Sequence, residues 1–188
     1  MNHSSTFFRI SIWFLFLAGG AVAGILWDLS CCAHVFKNLY FHIVSFVIGL
    51  GALRLVVNAS RNTGRYLAQH GKKGNVPKFE TNRLVTTGYY ACMRHPMHLG
   101  LLFFPLGWAL MIGSVTFILI IAPIEMLLMI IMIKGFEEKE AVQKFGEAYR
   151  QYMRQTPMFS FKFKCLKALF SKDGFARMTR DNTERRHP

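Results

Sequence analysis

From Leu99 to Ile133 the sequence carries one charged residue, Glu125, in a run dominated by leucine, isoleucine, methionine and phenylalanine. As a single helix rising roughly 1.5 Å per residue, this run would be about 50 Å long, against a bilayer hydrocarbon core of about 30 Å. It must therefore fold back as a hairpin. Gly113 and Ser114 are the expected turn, and Pro105 and Pro123 are expected to bend the two arms.

Two further apolar runs precede it. Ile10 to Trp27 is long enough to span a bilayer and carries Gly20 and Gly24 in a GxxxG arrangement that lets a second helix approach closely. Its length, and the spans after it, favour a retained helix over a cleaved signal peptide. Tyr40 to Val57 is the second span, with His42 and Arg54 placed near its ends, where their side chains are expected to snorkel to the interface. Of 188 residues, 52% are hydrophobic and 18% charged, which fits a chain with most of its length in lipid. The expected fold is an all-α integral membrane protein with about four transmembrane helices, near residues 10–27, 40–57, 98–112 and 115–134, the last two forming a C-terminal hairpin.

The formal net charge of +13 is unevenly spread. Between Asn58 and Pro96 stand Arg61, Arg65, Lys72, Lys73, Lys78, Arg83 and Arg94 against the single acid Glu80, while the turns near Asp28 to Leu39 and at Gly113 are almost free of basic charge. Positive loops stay cytoplasmic, so both termini and the basic loop are expected on that side. The same excess beside apolar spans points to anionic lipid headgroups rather than nucleic acid as the partner. Oligomeric state is open, because GxxxG packs within a chain as readily as between chains.

After the hairpin, Phe136 to Met153 turns strongly charged, with Val142, Phe145, Tyr149, Tyr152 and Met153 at helical spacing. A cytoplasmic amphipathic helix with one buried face is expected there, closing a single domain over residues 1–157. In residues 158–188, Met158 to Phe170 interleaves aromatics with lysines as an interfacial segment does, and the polar tail from Ser171 to Pro188 is expected to be disordered. Cys31, Cys32, Cys92 and Cys165 show neither CxxC pairing nor regular spacing, so they suggest no zinc site and no disulfide framework and read as incidental.

Polar chemistry concentrates at the two ends of the hairpin. Leu84 to Gly100, LVTTGYYACMRHPMHLG, sets Arg94, His95 and His98 against its start, and Glu137, Glu138 and Glu140 follow its end. If both arms cross the bilayer, the two clusters return to one face. Cations, imidazoles and carboxylates around one pocket suit a zwitterionic ligand such as S-adenosylmethionine; a salt-bridged ring closing the helix bundle is the competing account. A metal held by His95 and His98, three residues apart on one helix face, is not expected, because His3, His34, His42, His70 and His187 are scattered and form no second paired box. Glu125 in mid-span is expected to be protonated, paired with Arg54, or facing a wet cavity.

LVTTGYYACMRHPMHLG, an apolar hairpin, and then FEEKEAVQKFGEAYRQYM resemble, in order and spacing, the isoprenylcysteine carboxyl methyltransferase and phospholipid methyltransferase superfamily of integral membrane enzymes, over about Asn82 to Met153. The resemblance implies an S-adenosylmethionine-dependent methyltransferase acting on a membrane-partitioned lipid or small apolar acceptor. Carried over by position, it makes Leu84 and Val85 backbone contacts to the cofactor, Tyr90 an aromatic contact, and His95, Pro96, Met97 and His98 the loop that wraps it. Glu137 would hold a polar part of the cofactor, while Arg94 and Glu138 would orient these groups or face the substrate as catalytic residues.

Two positions depart from the pattern. His98 stands where the resemblance calls for tyrosine, putting an imidazole in place of a phenol. Ile133 stands where the isoprenylcysteine enzymes have arginine, which argues against prenylcysteine carboxylate as the acceptor. Two rival functions remain. An NADPH-dependent membrane reductase resembles the superfamily in its C-terminal motif but generally has more spans, and a nonenzymatic membrane protein or small transporter would work through Glu125 and Arg54.

Overall fold

The computed structural model describes residues 3–75, 81–174 and 176, with side chains from residue 11 onward. Lys78, Glu80 and the tail beyond residue 176, with its expected disorder, lie outside the described residues. The order is α1 (His3–Cys31), α2 (Ala33–Phe36), α3 (Leu39–His70), α4 (Tyr89–Cys92), α5 (Pro96–Leu102), α6 (Phe104–Ile112), a π-helical turn (Phe117–Ile121), α7 (Ala122–Met132), a second π-helical turn (Ile133–Glu137), α8 (Glu138–Gln155) and α9 (Phe163–Phe170). The described residues contain no strand. Three stretches are long and apolar enough to cross a membrane, Ser11–Cys31, Leu39–His70 and Phe117–Gln155, and Pro96–Ile112 is a shorter apolar one. The protein is an all-α integral membrane protein.

The chain divides into two compact units. One comprises Met1–Arg54 and Leu102–Ile131. Apolar burial drives little helix association in lipid, so close backbone approach and polar contacts must hold such a unit together. The GxxxG of α1 supplies the first: a Cβ on Gly24 would lie 2.7 Å from Ser114 Oγ, and one on Gly20 would lie 3.0 Å from Ile121 and 3.1 Å from Glu125. These glycines thus pack within the chain. Asp28, fully buried at the far end of α1, supplies the second. Its carboxylate accepts from the Ser114 hydroxyl (2.6 Å), the Thr116 hydroxyl (2.6 Å) and the Thr116 amide (3.0 Å), while Ser114 Oγ accepts from the Phe117 amide (3.1 Å). The second arm of the hairpin is therefore capped by a residue about ninety positions earlier.

The hairpin turn falls where expected. α6 ends at Ile112, and Gly113 adopts a φ of +73°, where a Cβ would run into the His42 ring. His42 does not snorkel; its Nε2–H donates to the Phe36 carbonyl at 2.5 Å, so it closes the α2–α3 turn. Pro105 sits in the first turn of α6, just after the break at Phe103, and Pro123 lies in the first turn of α7 beyond the π-helical turn. Glu125 is not paired with Arg54: among the described residues its carboxylate oxygens have no hydrogen-bond partner, and Arg54 is exposed. Leu15, Val22 and Leu26 on α1, with Leu119, Ile124 and Leu127 along the second arm, are exposed, as lipid-facing side chains are.

The other unit comprises Leu55–Leu101 and Met132–Pro188. α3 extends well past the expected end at Val57, through Asn58 to His70, most of it assigned by sequence to the basic loop. A buried stripe that starts at Val56 continues along that extension through Ala59, Thr63 and Tyr66 at three- and four-residue steps. Ala59 packs so closely on Gly100 that a Cβ there would come within 2.6 Å of it. α8 keeps the expected buried side, Tyr149 and Tyr152 above all, but bends at Gly146, whose φ is +58°. α9 packs one side against the rest of this unit. Cys165, Ala168 and Leu169 are buried, and the Asn62 side-chain amide donates to the Leu169 and Ser171 carbonyls at 2.9 and 2.8 Å.

Two of the four cysteines are not incidental. Cys92 and Cys165 form a disulfide with a sequence separation of 73, tying α4 to α9, while Cys31 and Cys32 are free. Two cysteines so far apart carry no pairing signal in sequence, and only the fold brings them within bonding distance.

Candidate active site

The site begins at a turn that only glycine can make. Gly88 has a φ of +60°, and a Cβ there would lie 2.4 Å from the Tyr66 ring. Tyr66 shares a 3.0 Å hydrogen bond with Thr87 and stacks on His70 with ring centroids 4.2 Å apart. One helical turn follows, α4, and then Met93 is extended. Pro96 opens α5; its missing N–H costs nothing at a helix start, and it keeps His95 out of the helical conformation.

The backbone amides of Arg94 and His95 are consequently free for other partners. They donate to the carbonyls of Pro157 (2.9 Å) and Met158 (3.2 Å). The Tyr152 hydroxyl donates to the Tyr90 carbonyl at 2.5 Å, so the segment around Arg94 is clamped from both sides by the end of α8 and the chain beyond it.

On this frame the polar side chains converge. Arg94 donates through Nε (2.9 Å) and Nη2 (2.6 Å) to Glu138 Oε1, across 44 residues of sequence. Its Nη1 donates to the carbonyls of Thr156 (2.5 Å) and Met153 (3.2 Å) at the end of α8, where a cation also meets the negative end of the helix dipole. His95 Nε2 lies 3.3 Å from the same Glu138 oxygen, and His98 Nε2 lies 3.0 Å from Glu137 Oε1. His95 Nδ1 is 3.9 Å from Glu137 Oε2.

Burial grades across this group. The side chains of His95 and Glu138 are only 10% and 11% exposed, against 27% for His98 and 31% for Glu137. Burial, reinforced by the neighbouring His98, lowers the His95 pKa from 6.5 to about 4, although Glu137 and Glu138 pull it upward. His95 is therefore neutral at pH 7, with Nε2–H donated to Glu138 and Nδ1 carrying a lone pair toward Glu137. Arg94, with its charge met by Glu138, is a fixed strut, while Glu137 and His98 are reachable from outside.

The two segments of the sequence motif, one before the hairpin and one after it, thus meet in one unit. A family model described as phospholipid methyltransferase matches residues 38–148, a stretch that takes in the first segment whole and the second as far as Ala148. The chain belongs to the phospholipid methyltransferase family. No curated protein and no solved structure matches it. As a member of the phospholipid methyltransferase family it belongs among methyltransferases of the membrane.

Of the residues singled out by sequence, Arg94, His95, His98, Glu137 and Glu138 form one contact network. Pro96 is fully buried at the start of α5, and Met97 is half-buried beside it. Tyr90 is buried against Tyr66, their centroids 6.5 Å apart, with burial raising its phenol pKa. Leu84 and Val85 instead line a cavity of about 70 Å³ with His70, Arg83, Thr86 and Thr87. Sequence reasoning missed Tyr66, Tyr152 and Thr156, which hold the frame. Tyr152 was placed on a buried helix face, but nothing local marks its partner, and Thr156 contributes only a carbonyl that any residue has.

Proposed function

We propose that the chain transfers a methyl group from S-adenosylmethionine to a membrane-partitioned lipid or small apolar acceptor. The observation that carries this reading is the convergence of Arg94, His95 and His98 with Glu137 and Glu138 within a phospholipid methyltransferase family match. The donor set suits the cofactor: a half-exposed carboxylate and imidazoles offer acceptors and donors to a ligand with hydroxyls, an ammonium and a sulfonium cation. When bound, S-adenosylmethionine supplies an electrophilic methyl group on a sulfonium.

The chain's own residues have to hold and align. Glu137 binds a polar part of the cofactor; the backbone at Leu84 and Val85, the Tyr90 ring and the loop of His95, Pro96, Met97 and His98 enclose the remainder. Arg94 and Glu138 keep that loop at a fixed distance from α8, so the acceptor meets the methyl carbon at a near-attack separation of roughly 3 Å with water excluded. The site faces the cytoplasm, in keeping with the positive loop, and the acceptor arrives from the bilayer.

Calorimetric titration of the detergent-purified protein with S-adenosylhomocysteine tests the cofactor. Micromolar binding lost in both Glu137→Ala and His95→Ala, at unchanged helicity, is the expected result. Binding of NADPH in its place would turn the assignment to a reductase, and silence with both ligands would favour a nonenzymatic role. For sidedness, Arg83→Cys in a Cys31→Ser, Cys32→Ser background should react with an impermeant maleimide added from the cytoplasmic face of sealed vesicles; reaction only from the opposite face would reverse the orientation.

A further inference from the structure

We propose that His95, His98 and Glu137 form a binding site for a divalent transition-metal ion, zinc being the ion the donors suit best, and that the bound ion competes with the cofactor. The metal site stands on geometry alone; the competition rests on the methyltransferase assignment of the same residues.

Each of the three residues offers one ligand atom, and these atoms lie within 4.8 Å of one another. Four-coordinate zinc with bonds of about 2.0 Å needs donors about 3.3 Å apart. His98 Nε2 stands 3.0 Å from Glu137 Oε1 and His95 Nδ1 3.9 Å from the other oxygen, Oε2, so the set closes once side-chain rotation turns one carboxylate oxygen toward both rings. His95 immediately precedes α5 and His98 lies in its first turn, their rings edge to face with centroids 5.5 Å apart. The third donor comes from the other end of the hairpin. This is why histidine spacing alone gave no metal signal.

The surroundings strengthen the case. A metal-bound imidazole is normally oriented by a carboxylate on its other nitrogen. Here His95 Nε2 faces Glu138 Oε1 at 3.3 Å, and Arg94 holds that oxygen at 2.6 and 2.9 Å. The arrangement leaves Nδ1, the nitrogen nearer Glu137, as the ligating atom. Two imidazoles and one carboxylate favour zinc over magnesium or calcium, which prefer all-oxygen shells, and leave a fourth position for water. His98 makes the difference: a tyrosine there, as the motif resemblance calls for, would offer a phenol in place of an imidazole nitrogen.

The test uses the full-length, tag-free protein in detergent, titrated with zinc chloride alone. Stoichiometric binding should weaken at least a hundredfold in His98→Tyr and in Glu137→Gln, each checked for unchanged helicity and thermal midpoint. Absence of zinc binding to folded wild type, or undiminished binding in His98→Tyr, overturns the site. In wild type, zinc saturation should weaken S-adenosylhomocysteine binding tenfold or more, reversibly on chelation; unaffected binding overturns the competition. Zinc binding as described without any S-adenosylhomocysteine binding in metal-free protein would sink the cofactor assignment and the competition while leaving the metal site intact.

Discussion

Asp28 and Glu138 are both buried carboxylates, one in each compact unit, and they are satisfied in opposite ways. Among the described residues Asp28 accepts from neutral donors, hydroxyls and backbone amides at the start of the second hairpin arm. Glu138 accepts from a guanidinium and an imidazole, beside a second carboxylate that is open to solvent. Neutral donors give a cap with no further chemistry. Ionisable partners keep protons and charge within reach of a ligand, so burial of an acid marks a site only when its partners titrate or carry charge.

The sharpest way to break this contrast is to remove one partner of the charged pair. Arg94→Ala or Glu138→Ala strands a buried charge and should cost about 3–5 kcal/mol, with methyl transfer abolished. Replacing both by apolar residues should restore much of the stability and none of the activity, read by thermal unfolding beside a transfer assay. If the single and double variants were equally unstable, the pair would not be the strut described.

Second in size is the Cys92–Cys165 link. Its reduction, or Cys165→Ser, should lower stability by about 2–4 kcal/mol, because a long loop is released in the unfolded chain. Denaturant unfolding with and without reductant measures it. Asp28→Ala comes next: hydroxyls and an amide lose their acceptor, costing about 1–3 kcal/mol, with S-adenosylhomocysteine affinity unchanged. A lost affinity would erase the distinction between the two acids.

The smallest effect is one of pH. Folded His95 binds its proton only near pH 4, whereas the unfolded residue does so near 6.5. Between those values the unfolded state holds more protons, so stability falls as pH falls, by about 1 kcal/mol from pH 7.5 to 5.5. His95→Gln should flatten that slope, and thermal midpoints across this range would show it.

How much of this was legible in the sequence depended on what each feature is made of. The hairpin was, because the length of an apolar run and the width of a bilayer allow no other outcome, and Gly113 sat where a left-handed residue was needed. The continuation of α3 was not. Its buried stripe, Val56, Ala59, Thr63 and Tyr66, has the right period but is small or polar in part and set among Arg61 and Arg65, so hydrophobicity hid what spacing contained. The glutamates were placed near Arg94 by counting spans, whereas the use of one Glu138 oxygen by both Arg94 and His95 is a matter of side-chain geometry that no pattern encodes. His42 followed the same logic: a polar residue near a span end suggested snorkelling, but a backbone carbonyl was nearer than the interface.

The disulfide turns the chain from Cys92 to Cys165 into a covalent ring, and every residue from Arg94 to Glu138 lies on it. A single backbone cut anywhere on that ring, at the Gly113 turn for instance, opens the circle without releasing a fragment. Both halves of the site would remain parts of one molecule until the sulfur bridge was reduced.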